Sequence, residues 1–173
     1  TRDGKGIIRS RAGLSRPCLT IDKDVDLYKA IKSYSNALAA QFESLRWVII
    51  DECQFLTEEQ VDQLSDVVDF LDINVMCYGL RTDFKSRLFP ASKRLFELAD
   101  DIEEVKSTCE CGKNKTSINA RFDKNGDIIV DGDQIMVGGD ESYRAICRKC
   151  WKDKVRDKIN KEMERKGRNE ATD

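Results

Sequence analysis

Two adjacent carboxylates, Asp51 and Glu52, directly follow a short apolar run at residues 47–50 (Trp-Val-Ile-Ile). Such a run predicts a strand that is buried on both faces. Because ligands of open α/β sheets lie beyond the carboxyl ends of the strands, one carboxylate could hold Mg²⁺ while the other accepts a proton from a substrate hydroxyl. Strand ends are also acidic simply where they meet water, so the pair alone does not identify a function.

Four of the seven cysteines fall in two close pairs, Cys109 with Cys111 and Cys147 with Cys150. In a reducing compartment this grouping favours a metal site over disulfides. Four thiolates at the ends of two strand-turn elements predict a closed, tetrahedral and therefore structural zinc site. The single residue inside the first pair, and the 35 residues between Cys111 and Cys147, differ from a generic zinc ribbon. The alternative is four unrelated cysteines.

Two further patterns leave both a functional and a structural interpretation. Aromatic residues follow the acidic pair, the second predicted strand and a Gly-Gly dipeptide, where their faces could sandwich a nucleobase or simply pack in the core. They are Phe55, Phe84, Phe89 and Tyr143.

Residues 123–127 (Asp-Lys-Asn-Gly-Asp) resemble a calcium loop, but Ile128 and Gln134 occupy the positions where an EF-hand needs Gly and Glu. A hairpin turn at Asn125-Gly126 is the better interpretation.

The elements around these residues follow from periodicity and capping signals. From Asp24, apolar residues at three- and four-residue spacing predict a helix. Thr57 and Gln60 form a capping box that begins a second helix, and residues 74–80 predict a second buried strand. Strand, capped helix and strand form a βαβ unit, so the two strands should be parallel with a right-handed crossover. The Gly-, Arg- and Ser-rich residues 1–20 are predicted to be a loop.

The second half changes in texture at Cys109. A helix after Pro90 and a short strand at residues 102–108 precede this point, and short β-like runs at 117–122, 128–130 and 135–137 follow it. From Trp151 the sequence predicts a charged helical extension. We therefore predict an α/β domain at residues 1–106, a small β-rich, zinc-ribbon-like lobe at 107–151 and a charged tail at 152–173.

The composition excludes several classes of protein. Of 173 residues, 40% are hydrophobic, which suits a packed core, and 30 basic residues nearly cancel 32 acidic ones. The resulting net charge of −2 does not favour nucleic-acid binding. No apolar run approaches the roughly 20 residues that span a bilayer, and no signal peptide opens the chain. A soluble protein of the cytoplasm, without a membrane partner, is the expectation.

Taken together, these segments resemble the zinc-containing thymidine kinase family, which includes the human cytosolic enzyme and many bacterial enzymes. The matching stretches run in family order and cover most of the chain. They are residues 10–14 (Ser-Arg-Ala-Gly-Leu), 50–56 (Ile-Asp-Glu-Cys-Gln-Phe-Leu), 78–84 (Tyr-Gly-Leu-Arg-Thr-Asp-Phe), 109–112 (Cys-Glu-Cys-Gly), 137–139 (Val-Gly-Gly) and 143–150 with Tyr143, Cys147 and Cys150.

The resemblance implies a parallel-sheet, P-loop-type (RecA-like) nucleotide-binding fold and transfer of the γ-phosphoryl group of ATP to the 5′-hydroxyl of thymidine or deoxyuridine, with Mg²⁺. It implies that Glu52 is the general base and that Asp51 serves the magnesium ion. The ATP site would be bordered by Asp51, Glu52, Cys53 and Gln54, with Arg2 near the phosphates. The base pocket would be walled by Phe55, Phe84 and Phe89, with Leu80 near the base. A lid over the nucleoside would comprise Gln134, Ile135, Met136, Val137, Gly138 and Tyr143. Bacterial members of the family are typically homotetramers.

One departure from the family concerns the phosphates. No Gly-x4-Gly-Lys-[Ser/Thr] loop occurs in the sequence, and Thr1-Arg2 matches the family downstream of that loop. The expectation is therefore an N-terminally incomplete domain with exposed apolar edge surface and little kinase activity as written. The alternative function is a non-catalytic, zinc-stabilised binding or scaffold module. A zinc-ribbon nucleic-acid binder is disfavoured by the mixed charges of residues 109–150.

Overall fold

The computed structural model describes residues 6–10, 12–134 and 143–170, with side chains to residue 165. It contains both α-helices and β-strands. A short 3-10 turn at Cys53–Phe55 directly follows the acidic pair Asp51 and Glu52. The elements are β1 (Ile7–Arg9), β2 (Ser15–Pro17), α1 (Leu27–Ala39), β3 (Trp47–Ile50), α2 (Glu58–Leu71), β4 (Asn74–Cys77), α3 (Pro90–Leu98), β5 (Ile118–Arg121), β6 (Tyr143–Ile146) and α4 (Arg148–Glu170). They form two compact units, Thr1–Ile50 with Leu56–Met76, and Asp51–Phe55 with Cys77–Asp173.

The helices of the first unit begin at capping residues. α1 begins after Asp26, whose carboxylate accepts a hydrogen bond from Lys29 N at 2.9 Å, so the helix starts three residues later than the predicted Asp24. The predicted capping box of α2 is confirmed, because Thr57 and Gln60 exchange side-chain and backbone hydrogen bonds at 3.1 Å. α2 buries Val61, Leu64 and Val67, and α1 packs against it.

β3 and β4 form a two-stranded sheet. Asn74 N donates to Arg46 O before the strands, and Cys53 N donates to Tyr78 O after them, so the strands run in the same direction as predicted. The prediction that β3 is buried on both faces is wrong, since Trp47 and Ile49 are 53% and 66% exposed. Among the described residues, a sheet of two strands is covered on one face only. β4 also ends at Cys77, three residues before the predicted end.

Ile7–Arg9 and Ser15–Pro17 form a hairpin, where a loop was predicted for residues 1–20. β1 and β2 pair antiparallel, with Ile7 opposite Pro17 and Arg9 opposite Ser15. Gly13 turns the chain at φ +85° and donates from its amide to Ser10 O. The two strands were not predicted because three residues are too few to show the alternation of apolar and polar side chains that is typical of a strand.

The second unit is built on the antiparallel pair β5–β6. Its apolar cluster includes Ile118, Ala120, Phe122, Ile128 and Ile146, with Trp151 and Val155 of α4 packed against it. The Asn125-Gly126 turn is confirmed: Gly126 has φ +81° and its amide donates to Asp123 O.

The strand predicted at residues 117–122 is confirmed as β5. The short strands predicted at residues 102–108 and 128–130 are wrong. At residues 102–108 only Thr108 forms a β-bridge, an isolated one with Lys115, because no strand among the described residues runs beside the rest of the segment. At residues 128–130 only Ile128 pairs, with Phe122. The helix after Pro90 is confirmed as α3, and the charged extension as α4. The run 135–137 lies outside the described residues.

Over the part of the chain that the structure describes, no helix combines the length and the apolar character needed to cross a membrane.

Candidate functional site

The acidic pair follows β3 in a strained backbone. Glu52 has φ +54°, in the left-handed region that a residue with a β-carbon rarely adopts. Such a conformation costs on the order of 1–3 kcal/mol and is concentrated at functional sites. The strain is offset locally, because Glu52 N donates to Asp51 Oδ1 at 2.9 Å and Phe55 N donates to Glu52 O at 3.0 Å. Both carboxylates remain exposed to solvent.

Gln54 holds the Glu52 carboxylate in place. Its side chain is only 3% exposed, and its Nε2 donates to Glu52 Oε2. Its Oε1 accepts from Leu80 N at 2.9 Å, and Leu80 O in turn accepts from Ser92 Oγ at 2.7 Å. The Glu52 side chain is therefore fixed through one oxygen to the segment that follows β4. Its other oxygen, Oε1, has no hydrogen-bond partner among the described residues.

Cys53 lies beneath this arrangement and is 5% exposed. Its thiol is hydrogen-bonded to that of Cys77, which lowers the pKa of Cys53 and raises the pKa of Cys77 well above its ordinary value. Cys53 is buried, and Cys77 at the end of β4 is half-buried.

Gly79 completes the packing around Gln54. A β-carbon at this position would lie 2.5 Å from Gln54 Oε1 and 2.6 Å from Cys53 Sγ. We expect Gly79→Ala to lower the free energy of unfolding by about 1–3 kcal/mol, because the overlap displaces buried atoms. Gly13→Ala is the comparison: its φ of +85° adds backbone strain, but nothing lies within 4 Å of its β-carbon, so its loss should be the smaller of the two. Chemical denaturation measures both, and equal losses would contradict the packing argument.

The predicted base-pocket residues divide into exposed and buried side chains. Phe55 and Leu80 are 44% and 39% exposed, whereas Phe84 and Phe89 are 2% and 4% exposed. Phe55 packs edge-on against Phe89, with ring centroids 6.2 Å apart and an interplanar angle of 78°. Of these four side chains, only Phe55 and Leu80 are exposed enough to present apolar surface to a ligand, and Phe89 packs against Phe55 from the buried side.

Two predicted lid residues are described, Gln134 in a loop and Tyr143 on a strand. Gln134 is half-buried, and its Nε2 donates to Asp83 Oδ2 at 3.1 Å. Tyr143 begins β6, directly opposite Arg121. The other predicted lid residues, Ile135, Met136, Val137 and Gly138, lie outside the described residues, as does Arg2.

The four paired cysteines converge. The sulfur atoms of Cys109, Cys111, Cys147 and Cys150 all lie within 4.8 Å of one another. Cys109 and Cys147 are buried and belong to the apolar cluster, while Cys111 is exposed. An all-sulfur set of four fits a soft or borderline divalent cation held tetrahedrally. The backbone amide of Cys150 also donates to Cys147 Sγ at 3.4 Å and lowers the pKa of that thiol, which favours the thiolate form that binds metal.

A cavity of about 790 Å³ in the second unit is lined mainly by charged residues. Its seven basic residues are Arg81, Lys106, Lys115, Arg148, Lys149, Lys152 and Arg156. Two acids that also line the cavity, Glu104 and Asp153, form ion pairs with four of them. Much of the positive charge is therefore neutralised locally, and none of the predicted nucleotide-site residues lines this cavity.

Three residues that the sequence reasoning missed support the site. Asp83 is 5% exposed and accepts hydrogen bonds from Lys85 N and Arg87 N, both at 2.9 Å. Arg121 is 4% exposed, with its guanidinium carbon 4.0 Å from the centre of the Phe84 ring. Trp151 Nε1 donates to Phe84 O at 3.1 Å. The sequence did contain a signal for Arg121, because it lies among apolar residues at the end of β5. A charged residue that is buried with such neighbours needs hydrogen-bond or ring partners inside the protein.

Comparison with known proteins gives a consistent result. The sequence matches the thymidine kinase family over residues 1–151. It is 45% identical to a thymidine kinase of Mannheimia succiniciproducens, over 89% of this chain and 76% of that protein. It is 45% identical to a thymidine kinase of Aliivibrio fischeri, over 88% of this chain and 76% of that protein. It is 44% identical to one of Agrobacterium fabrum, over 87% and 75% respectively.

Proposed function

Because the chain belongs to the thymidine kinase family, we propose that it transfers the γ-phosphoryl group of ATP to the 5′-hydroxyl of thymidine, with Glu52 as general base. The observation that supports this role best is the Glu52 carboxylate itself. It follows a parallel strand, it lies on a strained backbone, and one of its oxygens is fixed by Gln54. Such a group is positioned to accept a proton with the oxygen that remains.

Gln54 is assigned the role of orienting that base. By donating to Glu52 Oε2, its amide leaves Oε1 to face a hydroxyl group. Because Gln54 Oε1 also accepts from Leu80 N, the base and the segment beside the nucleoside are held at a fixed spacing. A spacing set in advance lowers the entropic cost of bringing the reacting groups together.

Asp51 is the proposed magnesium residue, and its geometry fits that role. One carboxylate oxygen accepts from Glu52 N, and the other has no partner among the described residues. An exposed, hard carboxylate oxygen is the ligand type that Mg²⁺ prefers, and an ion held there would neutralise charge on the phosphates. Cys53 and Gln54 would border the ATP site through their backbone, since both side chains are buried.

The nucleoside is proposed to lie against Phe55 and Leu80, the two exposed apolar members of the predicted pocket. Phe89 packs against Phe55, and Phe84 is buried in the same segment. Gln134 to Gly138 and Tyr143 complete the proposed site as its lid. Deoxyuridine as a second substrate, a homotetramer and a cytoplasmic location belong to the same proposal, and family resemblance supports them.

The cysteine cluster is the proposed structural zinc site. All four coordination positions would be filled by protein sulfur, so the ion would stabilise the lobe and take no part in phosphoryl transfer. The apolar cluster of this lobe is small, which is the situation in which a metal supplies folding free energy.

The test is the formation of thymidine 5′-monophosphate from thymidine and γ-labelled ATP in the presence of Mg²⁺. The 173-residue chain and the full-length product of its gene should be assayed side by side. We expect turnover by the full-length product and little by the 173 residues alone, because they contain no Gly-x4-Gly-Lys-[Ser/Thr] loop.

The control substrate is 5′-deoxythymidine, which binds like thymidine but lacks the hydroxyl that accepts the phosphate. It should yield no product and should inhibit competitively. Failure of a folded, metal-loaded full-length protein to phosphorylate thymidine would contradict the proposal and favour a binding module without catalysis.

A further inference from the structure

Arg121 is a buried charge without a carboxylate partner among the described residues. It ends β5 and is 4% exposed. Its Nη1 donates to Asp133 O at 3.2 Å and its Nη2 donates to Asp131 O at 3.3 Å. Its Nε is buried and has no hydrogen-bond partner among the described residues. Burying a guanidinium costs free energy unless the group is paired. The presence of Arg121 at this position therefore indicates a role that an apolar side chain could not fill.

The Arg121 guanidinium contacts both a ring and a loop. Its carbon is 4.0 Å from the centre of the Phe84 ring, a cation–π distance. Its two terminal nitrogens donate to carbonyl oxygens of the loop at residues 131–133. Gly132 has φ +120°, and a β-carbon there would lie 2.7 Å from Arg121 Nη2. The loop can follow this path only because residue 132 is glycine.

A second tether holds the same loop. Gln134 Nε2 donates to Asp83 Oδ2, while Asp83 Oδ1 binds the amides of the turn that follows Phe84. Lys85 Nζ also reaches Asp131 Oδ1 at 3.5 Å. Residues 131–134 are therefore fixed to the segment around Phe84 by three independent contacts, of which that of Arg121 is the most deeply buried.

We infer that Arg121 is a positioning residue for nucleoside binding: it sets the distance between Phe84 and residues 131–134, and so places Gln134. The inference rests on the proposed function, because Phe84 and Gln134 are residues of the proposed nucleoside site. A planar fork suits the task, because it can donate to two carbonyl oxygens of the loop while its face lies against the ring. Arg121 touches neither the Glu52 carboxylate nor the cysteine sulfurs, so its effect should fall on nucleoside binding alone.

The first test compares Arg121→Met with Arg121→Lys in the full-length protein. Methionine keeps apolar bulk on the Phe84 ring but loses both donors, so we expect the KM for thymidine to rise about 10- to 100-fold. The KM for ATP and the metal content should stay within twofold of wild type. Lysine can reach one carbonyl, so it should recover part of the loss.

The second test perturbs the loop and leaves Arg121 in place, in case the buried substitutions prevent folding. Gly132→Ala pushes against Nη2, whereas Gly126→Ala also places a β-carbon at a left-handed φ, +81°, but nothing lies within 4 Å of it. We expect only Gly132→Ala to raise the KM for thymidine, and isothermal titration with thymidine should show the same loss of affinity.

The outcomes separate the two proposals. An unchanged thymidine KM in folded, active Gly132→Ala and Arg121→Met proteins would overturn the inference and leave the proposed function intact. An equal rise in Gly126→Ala would also overturn it, because general weakening of the lobe would then suffice. A wild-type protein that neither binds nor phosphorylates thymidine would remove the proposed function and this inference with it.

Discussion

Glu52→Gln is expected to lower kcat for thymidine phosphorylation by about 10²- to 10⁴-fold, the usual contribution of a general base. Glutamine has nearly the same shape, and its amide oxygen can still accept from Gln54 Nε2, so the local structure should persist. What is lost is the ability of Oε1 to take the proton of the 5′-hydroxyl. The KM for thymidine should change little, because the carboxylate acts in the transition state. Steady-state kinetics of the full-length protein measure both constants.

Glu43→Gln provides the matched control for this result. Glu43 is also an exposed glutamate in a non-helical segment, but its only described hydrogen bond is made by its backbone amide to Leu38 O. The substitution changes the net charge by the same amount and should leave kcat unaltered. Retention of more than about a tenth of the wild-type kcat by Glu52→Gln would rule out this residue as the base.

Cys111→Ser is expected to release the metal ion and destabilise the lobe, although Cys111 itself is exposed. In a protein without a metal, an exposed Cys→Ser change is nearly neutral. If the four sulfurs hold zinc, the same change removes one of four ligands and most of a binding free energy that is on the order of 10 kcal/mol for structural zinc. The zinc content should fall from about one ion per chain, and the Tm should fall with it.

Cys18→Ser is the control, since Cys18 lies outside the sulfur cluster. Its zinc content, measured by inductively coupled plasma mass spectrometry, should equal that of wild type. A strong chelator should reproduce the Cys111→Ser melting curve in the wild-type protein. Full zinc content and an unchanged Tm in Cys111→Ser would contradict the metal assignment.

The local elements that were predictable from sequence carry their own signals. The Thr57–Gln60 capping box, Pro90 at the start of α3 and the Asn125-Gly126 turn each act through neighbouring residues, so the sequence determines them directly. The cysteine cluster was predictable because pairs at short spacing indicate convergence.

Other features depend on partners that are distant in sequence. Residues 102–108 have suitable side chains for a strand, but a strand forms only where another strand runs beside it. Likewise, nothing near Glu52 in the sequence indicates that Gln54 joins it to Leu80. Arg121 and Gly132 are adjacent only because β5 and the following hairpin fold back on each other. Such contacts need the three-dimensional path of the chain.

One face of α4 carries contacts on successive turns. Trp151 reaches Phe84 O, Val155 packs on the apolar cluster, Lys158 donates to Ile128 O at 3.0 Å and Lys161 pairs with Asp127 at 3.3 Å. Each residue added to a helix rotates all that follows by about 100°. A single insertion after Cys150 would therefore keep all four sulfurs but turn these side chains away from their partners.

The number of residues between Cys150 and Lys161 is thus constrained more strongly than their identities. Relatives that share the contacts should vary freely at the solvent-facing positions between Cys150 and Lys161, yet they should show no insertions or deletions there. Beyond Lys161, both length and sequence should drift.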